Sequence, residues 1–283
     1  MDDISKKRDV KNGRAFSFLP LNKREGKPRR QGVTEIRGPY YTPMGVRYLE
    51  DIFETMGEYI DILKFAGGSF SLMPERAVKE MIGLCHRYDC MVDTGGFIEY
   101  VLTKGAKAVG DYINECKRLG FDIIEVSSGF LSIPPDDIAR LIEKAQKAGL
   151  KVKAEVGIQF GAGGASRFEE LEAEGTGDPS WAVDRAKRYL DAGAYMIMVE
   201  SEGITESVKA WRTDAISAIV RGIGLDKAMF EAADPEVFRW YIKNYGPEVN
   251  LFVDHSQIIL LESLRSGIWG TKDLWGRVVT YKP

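Results

Sequence analysis

Cysteine, histidine, long apolar runs and charge of one sign are all scarce in this 283-residue sequence, and each shortage closes off a class of protein. Cys85, Cys90 and Cys116 form an odd set without a Cys-x-x-Cys pair. That argues against a disulfide framework and a structural zinc site, and the three read as reduced, buried thiols. His86 and His255 are the only histidines, so the sequence offers no cluster of imidazoles for zinc or copper. His86 falls within a helical pattern and reads as a surface or packing residue. No apolar run approaches a membrane span, and the opening Met-Asp-Asp-Ile-Ser-Lys-Lys-Arg lacks a signal peptide's apolar core. The expectation is a cytoplasmic protein with no membrane partner. A formal net charge of -3 and a pI near 5.7 give no global pull toward nucleic acid or lipid. No Gly-rich dinucleotide turn follows the first strand, and no Ser or Cys sits in an elbow motif that would support a hydrolase triad.

What is present is enough apolar material, 44% of residues, for one large domain with a filled core. Residues 1–30 differ from the rest. Lys6, Lys7, Arg8, Lys11, Arg14, Lys23, Arg24, Lys27, Arg29 and Arg30 make a basic arm, expected to be flexible, with Phe16, Phe18 and Leu19 packing on the body. No nucleic-acid-binding motif accompanies these charges.

From Gly32 onward, short β-branched and apolar runs alternate with amphipathic helical patterns. The strands are expected at Val33–Arg37, Ile60–Phe65, Met91–Thr94, Phe121–Ser127, Lys151–Gly157, Tyr195–Glu200, Ala228–Ala232 and Asn250–Asp254. The helices between them include Met44–Met56, Pro74–Tyr88, Asp111–Leu119, Pro135–Ala148, Trp181–Ala192, Ser207–Ile223, Pro235–Tyr245 and Gln257–Arg265. Eight strands, each followed by a helix, predict an α/β fold, a (β/α)₈ TIM barrel over residues 31–283, in preference to a doubly wound open sheet. The longest strand-to-strand interval carries Gly161, Gly163, Gly164, Gly175 and Gly177 between 158 and 180, which reads either as a lid or as a surface insertion.

Active sites of such barrels lie at the carboxyl ends of the strands. Here every strand end carries a charge: Glu35 with Arg37, Lys64, Asp93, Glu125, Glu155, Glu200, Glu231 and Asp254. Buried charge is costly unless paired or bound to metal, so the set predicts a site. Carboxylate oxygens without clustered histidines suit Mg²⁺ better than zinc or copper. After the last strand, Asn250, His255, Ser256 and the helix start near Gln257 offer donors for an anion.

Several strings then look familiar. Gln-Gly-Val-Thr-Glu-Ile-Arg-Gly-Pro (31–39), Leu-Lys-Phe-Ala-Gly-Gly-Ser (63–69), Gly-Phe-Asp-Ile-Ile-Glu-Val-Ser-Ser-Gly (120–129), Ala-Glu-Val-Gly (154–157) and Gly-Pro-Glu-Val-Asn-Leu (246–251) resemble the phosphosulfolactate synthase family over about residues 31–270. Met-Phe-Glu-Ala (229–232) and Val-Asn-Leu-Phe-Val-Asp-His-Ser-Gln (249–257) resemble the eukaryotic branch that includes the plant heat-stress-associated proteins. The resemblance implies a Mg²⁺-dependent carbon–sulfur lyase on a TIM barrel, adding sulfite to phosphoenolpyruvate. It points to Glu125, Glu155 and Glu231 as metal ligands and to Arg37 and Lys64 as holders of the anionic substrate groups, beside Asn250, His255 and Ser256 read from their position in the barrel. Lys64 or Lys153 is expected to stand in for the catalytic acid, with Glu155 in the catalytic set. The archaeal members of the family carry two lysines after the fifth-strand Glu-Val-Gly, and an arginine after the sixth-strand glutamate. This chain has Ile158 and Gln159, then Ser201 and Glu202. Those exchanges and the likeness to the heat-stress branch motivate a second reading, a non-enzymatic stress or interaction protein on the same barrel, and a third is a Schiff-base aldolase using Lys64 or Lys153. A homo-oligomer is left open.

Overall fold

Each β-branched run produces one short strand, and each strand feeds a helix that returns along the outside. A computed structural model describes residues 13–164, 166–175, 177–232, 234–268 and 270–281. Lys6, Lys7, Arg8 and Lys11 of the basic arm lie outside them. In chain order the elements are β1 (Thr34–Arg37), α1 (Val46–Met56), β2 (Ile62–Lys64), α2 (Glu75–Arg87), β3 (Met91–Asp93), α3 (Ile98–Leu102), α4 (Ala106–Leu119), β4 (Ile123–Val126) and α5 (Pro135–Lys147). Then follow β5 (Lys151–Val156), α6 (Phe168–Glu174), α7 (Pro179–Asp191), β6 (Met196–Val199), α8 (Thr213–Ile223), β7 (Ala228–Glu231), α9 (Pro235–Tyr245), β8 (Asn250–Asp254) and α10 (Ile258–Arg265). All eight expected strands are there, trimmed at most by two residues at an end. The short helices α3 and α6 were not expected, and α4 begins five residues earlier than its pattern suggested, at Ala106 rather than Asp111.

The strands close into a parallel barrel in sequence order, β1 pairing with both β2 and β8. Alternation divides the apolar residues in two. Outward residues such as Ile36, Leu63, Val92, Ile124, Val152, Ile197 and Leu251 pack under the helices. Inward apolar residues Val33, Ile62, Ile123, Met196, Met198, Met229 and Phe252 form a separate, smaller cluster inside the barrel. The remaining inward positions are charged, apart from Met91, which packs on that cluster, and Asn250 at the start of β8. Proline opens α5, α7 and α9 at their first turn, where its missing N–H costs no helical bond.

The described part of the arm is fixed in a different way from the one expected. Phe16 and Phe18 are 70% and 78% exposed and do not pack on the body. The polar residues that follow hold the segment across the barrel's amino-terminal side. Lys27 Nζ donates to the carbonyls of Gly57 (2.9 Å) and Tyr88 (2.8 Å), which cap α1 and α2 and sit at the negative ends of those helices. Arg29 pairs with Asp61 at 3.0 Å, and Arg24 with Glu262. Asn22 clasps the other end of the chain. Its amide donates to Arg265 O (3.0 Å) and Val278 O (2.7 Å), its oxygen accepts from Thr280 N (3.3 Å), and its own N–H reaches Ser266 O (3.1 Å). Through these bonds residues 22–30 form a strap against the barrel.

Candidate active site at the barrel mouth

Inside the barrel the charged residues form two levels. The lower one centres on Lys153, which has no exposure. Its ammonium meets Glu35, Asp93 at 2.6 Å and Glu125 at 3.0 Å. Glu35, Asp93 and Glu125 are a buried acidic triad whose oxygens lie within 4.8 Å of one another, a spacing that could hold a metal ion. Lys153 stands among them, its ammonium taking the place a metal ion would have. Lys64 adds a second ammonium, 2.7 Å from Glu125 and 4.0 Å from the centre of the Phe252 ring. Burial alone would lower the pKa of both lysines, but the surrounding carboxylates outweigh it and raise them. Burial would raise Glu125 too, yet Lys153 and Lys64 pull it down to about 2. Asp93, buried and beside two other acids, is pushed up to about 7 although Lys153 opposes the shift.

Above this level is a cavity of about 370 Å³ at the carboxyl ends of the strands. Six carboxylates line it, from Glu99, Glu125, Glu155, Glu200, Glu206 and Glu231, against two cations, Arg37 and Lys64. Arg37 donates to Glu231 at 2.6 Å and to the Tyr41 hydroxyl at 3.0 Å, with its guanidinium 5.0 Å from the Phe252 ring centre. Among the described residues, no ion pair or hydrogen bond reaches the Glu155 carboxylate. Glu200 accepts only from its own loop, Glu202 N at 2.9 Å and Ser201 Oγ at 3.4 Å. Burial, reinforced by neighbouring carboxylates, raises the pKa of both well above the ordinary value. Glu231 is also raised, burial outweighing Lys64 and Arg37.

Two further acids shape the walls by binding backbone. Glu99 accepts from Ser127 Oγ (2.7 Å), Gly129 N (3.2 Å) and Phe130 N (2.9 Å), fixing the loop after β4. Glu202 accepts from Gly163 N (2.9 Å) and Ser166 N (3.0 Å), fixing the segment after β5. The two loops meet where Gly161 N donates to Gly129 O at 2.8 Å. A side chain at Gly129 would collide with the Ala162 carbonyl, so the close approach requires glycine there. Gly163 and Gly164 thereby reach the cavity wall. Gln159 turns away from the mouth and donates to Leu171 O at 2.9 Å and to Gly175 O, tying α6 to the barrel.

The expected site residues separate accordingly. Arg37, Lys64, Glu125, Glu155 and Glu231 do come together at the mouth. Glu125, expected as a metal ligand, is already matched by two ammonium groups. Lys153, expected in catalysis, is sealed beneath the cavity. Asn250 is corrected outright. It is the first residue of β8, at the amino end of the barrel, where Oδ1 accepts from Val33 N (3.0 Å) and Nδ2 donates to Ala228 O (3.0 Å). His255 and Ser256 do not line the cavity. His255 Nδ1 lies 3.0 Å from the Arg37 carbonyl, which can only accept, and Nε2 lies 3.0 Å from the Tyr48 hydroxyl, from which the neutral ring accepts. Ser256 N and Oγ are both taken by Asp254, so an acid rather than an anionic ligand caps that turn. Glu200 was visible as a strand-end charge but not singled out. Glu99 gave no signal, because its partners, the Ser127 hydroxyl and two backbone N–H groups, lie some 30 residues on.

The family model for (2R)-phospho-3-sulfolactate synthase (ComA) matches residues 22–271. Among curated proteins, HEAT-STRESS-ASSOCIATED 32 of Arabidopsis thaliana is 39% identical over 259 residues, 88% of this chain and 91% of that one. Phosphosulfolactate synthase of Methanothermobacter thermautotrophicus is 29% identical over 271 residues, 93% of this chain and 98% of that one. Among solved structures, the carboxyl transferase domain of Rhizobium etli pyruvate carboxylase with 3-hydroxypyruvate overlays with a TM-score of 0.56 at 10% identity, covering 80% of this chain and 40% of that one. That last likeness concerns the fold alone.

Proposed function

The chain belongs to the (2R)-phospho-3-sulfolactate synthase family, and from that premise we propose that the barrel mouth is the active site of a carbon–sulfur lyase that adds sulfite to phosphoenolpyruvate with Mg²⁺. The observation that carries the reading is the carboxylate surplus at the mouth. Glu155 and Glu200 are held at raised pKa with no partnering cation among the described residues, while Glu231 shares Arg37. Hard, oxygen-only donors of this kind fit Mg²⁺, and we assign Glu155, Glu200 and Glu231 to it. Bound there, the ion would supply Lewis-acid stabilisation of the charge that develops on the enol acid's carboxylate, worth several kcal/mol.

The chain's own residues account for the rest. In the reaction the sulfite sulfur bonds to C3, the alkene pair moves to C2, and C2 takes a proton. Arg37, flanked by Tyr40, Tyr41 and Phe252, presents a planar fork to an anionic group of the substrate. Lys64 is the ammonium that lines the cavity, and we assign it the proton for C2. General acid catalysis of this kind contributes roughly 10²–10⁴ in rate. Lys153 serves the floor of the site by holding Glu125 in place.

The test is sulfite-dependent consumption of phosphoenolpyruvate in the presence of Mg²⁺. Turnover no higher than that of Glu155→Gln would overturn the proposal. One observation favours a second reading, a non-enzymatic stress or interaction protein. Neither Ile158, Gln159 nor Glu202 returns a cation to the mouth. Absence of any rise in melting temperature with Mg²⁺ and phosphoenolpyruvate together would favour it.

A further inference from the structure

On the other side of the Gly129–Gly161 contact lies a second cavity, of about 480 Å³. Glu155 lines this one as well as the mouth, so one carboxylate serves both. Away from Glu155 the character changes. Ile133 and Ile158 give apolar walls, and the rings of Phe160 and Trp181 line the cavity while remaining 52% and 67% exposed. Aromatic rings of that size left uncovered beside a cavity offer a contact surface that the chain itself does not use. Arg185 of α7 also lines it. Among the described residues its guanidinium makes one hydrogen bond, a long one of 3.4 Å to Trp181 O.

We propose that this cavity is a binding compartment for an organic molecule with an aromatic or apolar body and one anionic group. The body lies against Phe160 and Trp181, the anion meets Arg185, and the inner end reaches Glu155. The volume falls in the range of small-molecule sites. An inorganic dianion such as sulfite would leave nearly all of it unfilled and would meet mostly hydrocarbon. Arg185 is the one cation among the lining residues, beside the carboxylates of Asp184 and Glu155, and matches a single anionic group on the ligand. The compartment stands whether or not phosphoenolpyruvate is the ligand of the mouth.

The experiment uses the full chain and two probes, 3-phenylpropionate and its uncharged counterpart 3-phenylpropanol, in ligand-observed NMR titrations without turnover. Saturable binding is expected for both, tighter for the carboxylate. Trp181→Ala should weaken both by about tenfold. Arg185→Gln should bring the carboxylate down to the affinity of the alcohol while leaving the alcohol unchanged. Arg37→Gln, at the mouth, should leave both unchanged, which separates this compartment from the proposed lyase site. Trp181 is largely exposed, so its replacement leaves the fold intact, and Phe160→Ala gives an independent check. No saturable binding, or binding indifferent to both Trp181→Ala and Arg185→Gln, overturns the proposal.

Discussion

Lys153 and Glu155 stand two residues apart on the same face of β5, yet one is sealed among opposite charges and the other faces a cavity among like ones. Below, Lys64 and Lys153 answer Glu35, Asp93 and Glu125, and the one surplus acid, Asp93, is the group pushed up to about 7. Above, Glu155 and Glu200 have no such answer. The lower level is matched by the chain's own ammonium groups except at Asp93, which takes up a proton. The upper level is completed only by something the chain does not encode, a proton or a bound cation. The same residue types therefore support the fold in one place and depress stability in the other, which is the usual condition of a binding site.

The largest test of that contrast removes the lower cation. Lys153→Met leaves Glu35 and Asp93 buried without a cation, Glu125 keeping Lys64, and should cost about 3–5 kcal/mol of stability in urea unfolding. A cost below about 1 kcal/mol would mean that the level neutralises itself by protonation, and the contrast would fail. The mouth should respond with the opposite sign. Glu155→Gln should raise the melting temperature of metal-free protein by about 2–4 °C and abolish the further rise that Mg²⁺ gives the parent.

The pH dependence sharpens the same point. Glu155, Glu200 and Asp93 have folded pKa values above their unfolded ones, so the folded state keeps protons that the unfolded state has released. Their contribution to stability is full below the ordinary carboxylate pKa and is lost as pH rises, Asp93's share by about pH 7. Glu125 runs the other way, its contribution fading as pH falls toward about 2. Melting temperatures in a chelator should therefore decline from mildly acidic to neutral pH, and less steeply in Glu155→Gln. The smallest effect is expected from Gly129→Ala, which pushes the segment after β5 off the loop after β4 and admits water to the mouth. It should flatten the pH profile slightly and speed proteolysis between residues 158 and 180 without altering the response to Lys153→Met.

The barrel was legible because its signals are local. Alternating β-branched runs mark each strand, and a charge at each strand end marks the mouth. Arg37, Lys64, Glu155 and Glu231 follow from position alone. What was not legible depends on register between distant strands. Lys153 and Glu125 become partners only because β4 and β5 align them side by side. Asn250 was grouped with the anion donors beyond β8 although the expected strand already began with it, and a first residue lies at the end of the barrel opposite the mouth. The arm misled through composition. Its basic residues suggested a loose, solvated segment, but helix carbonyl ends far away in sequence take up Lys27, while the aromatic residues that looked like anchors stay exposed.

Asn22 carries one more consequence, a mechanical one. Through a single side chain it joins residue 22 to residue 280, a sequence separation of 258. Tension applied to the chain outside those two points would load the amide's bonds to Arg265, Val278 and Thr280 before any strand of the barrel felt it. Under load the clasp is a fuse. It would open at low force and leave the barrel's parallel strands, which resist in shear, to yield in a second and larger step.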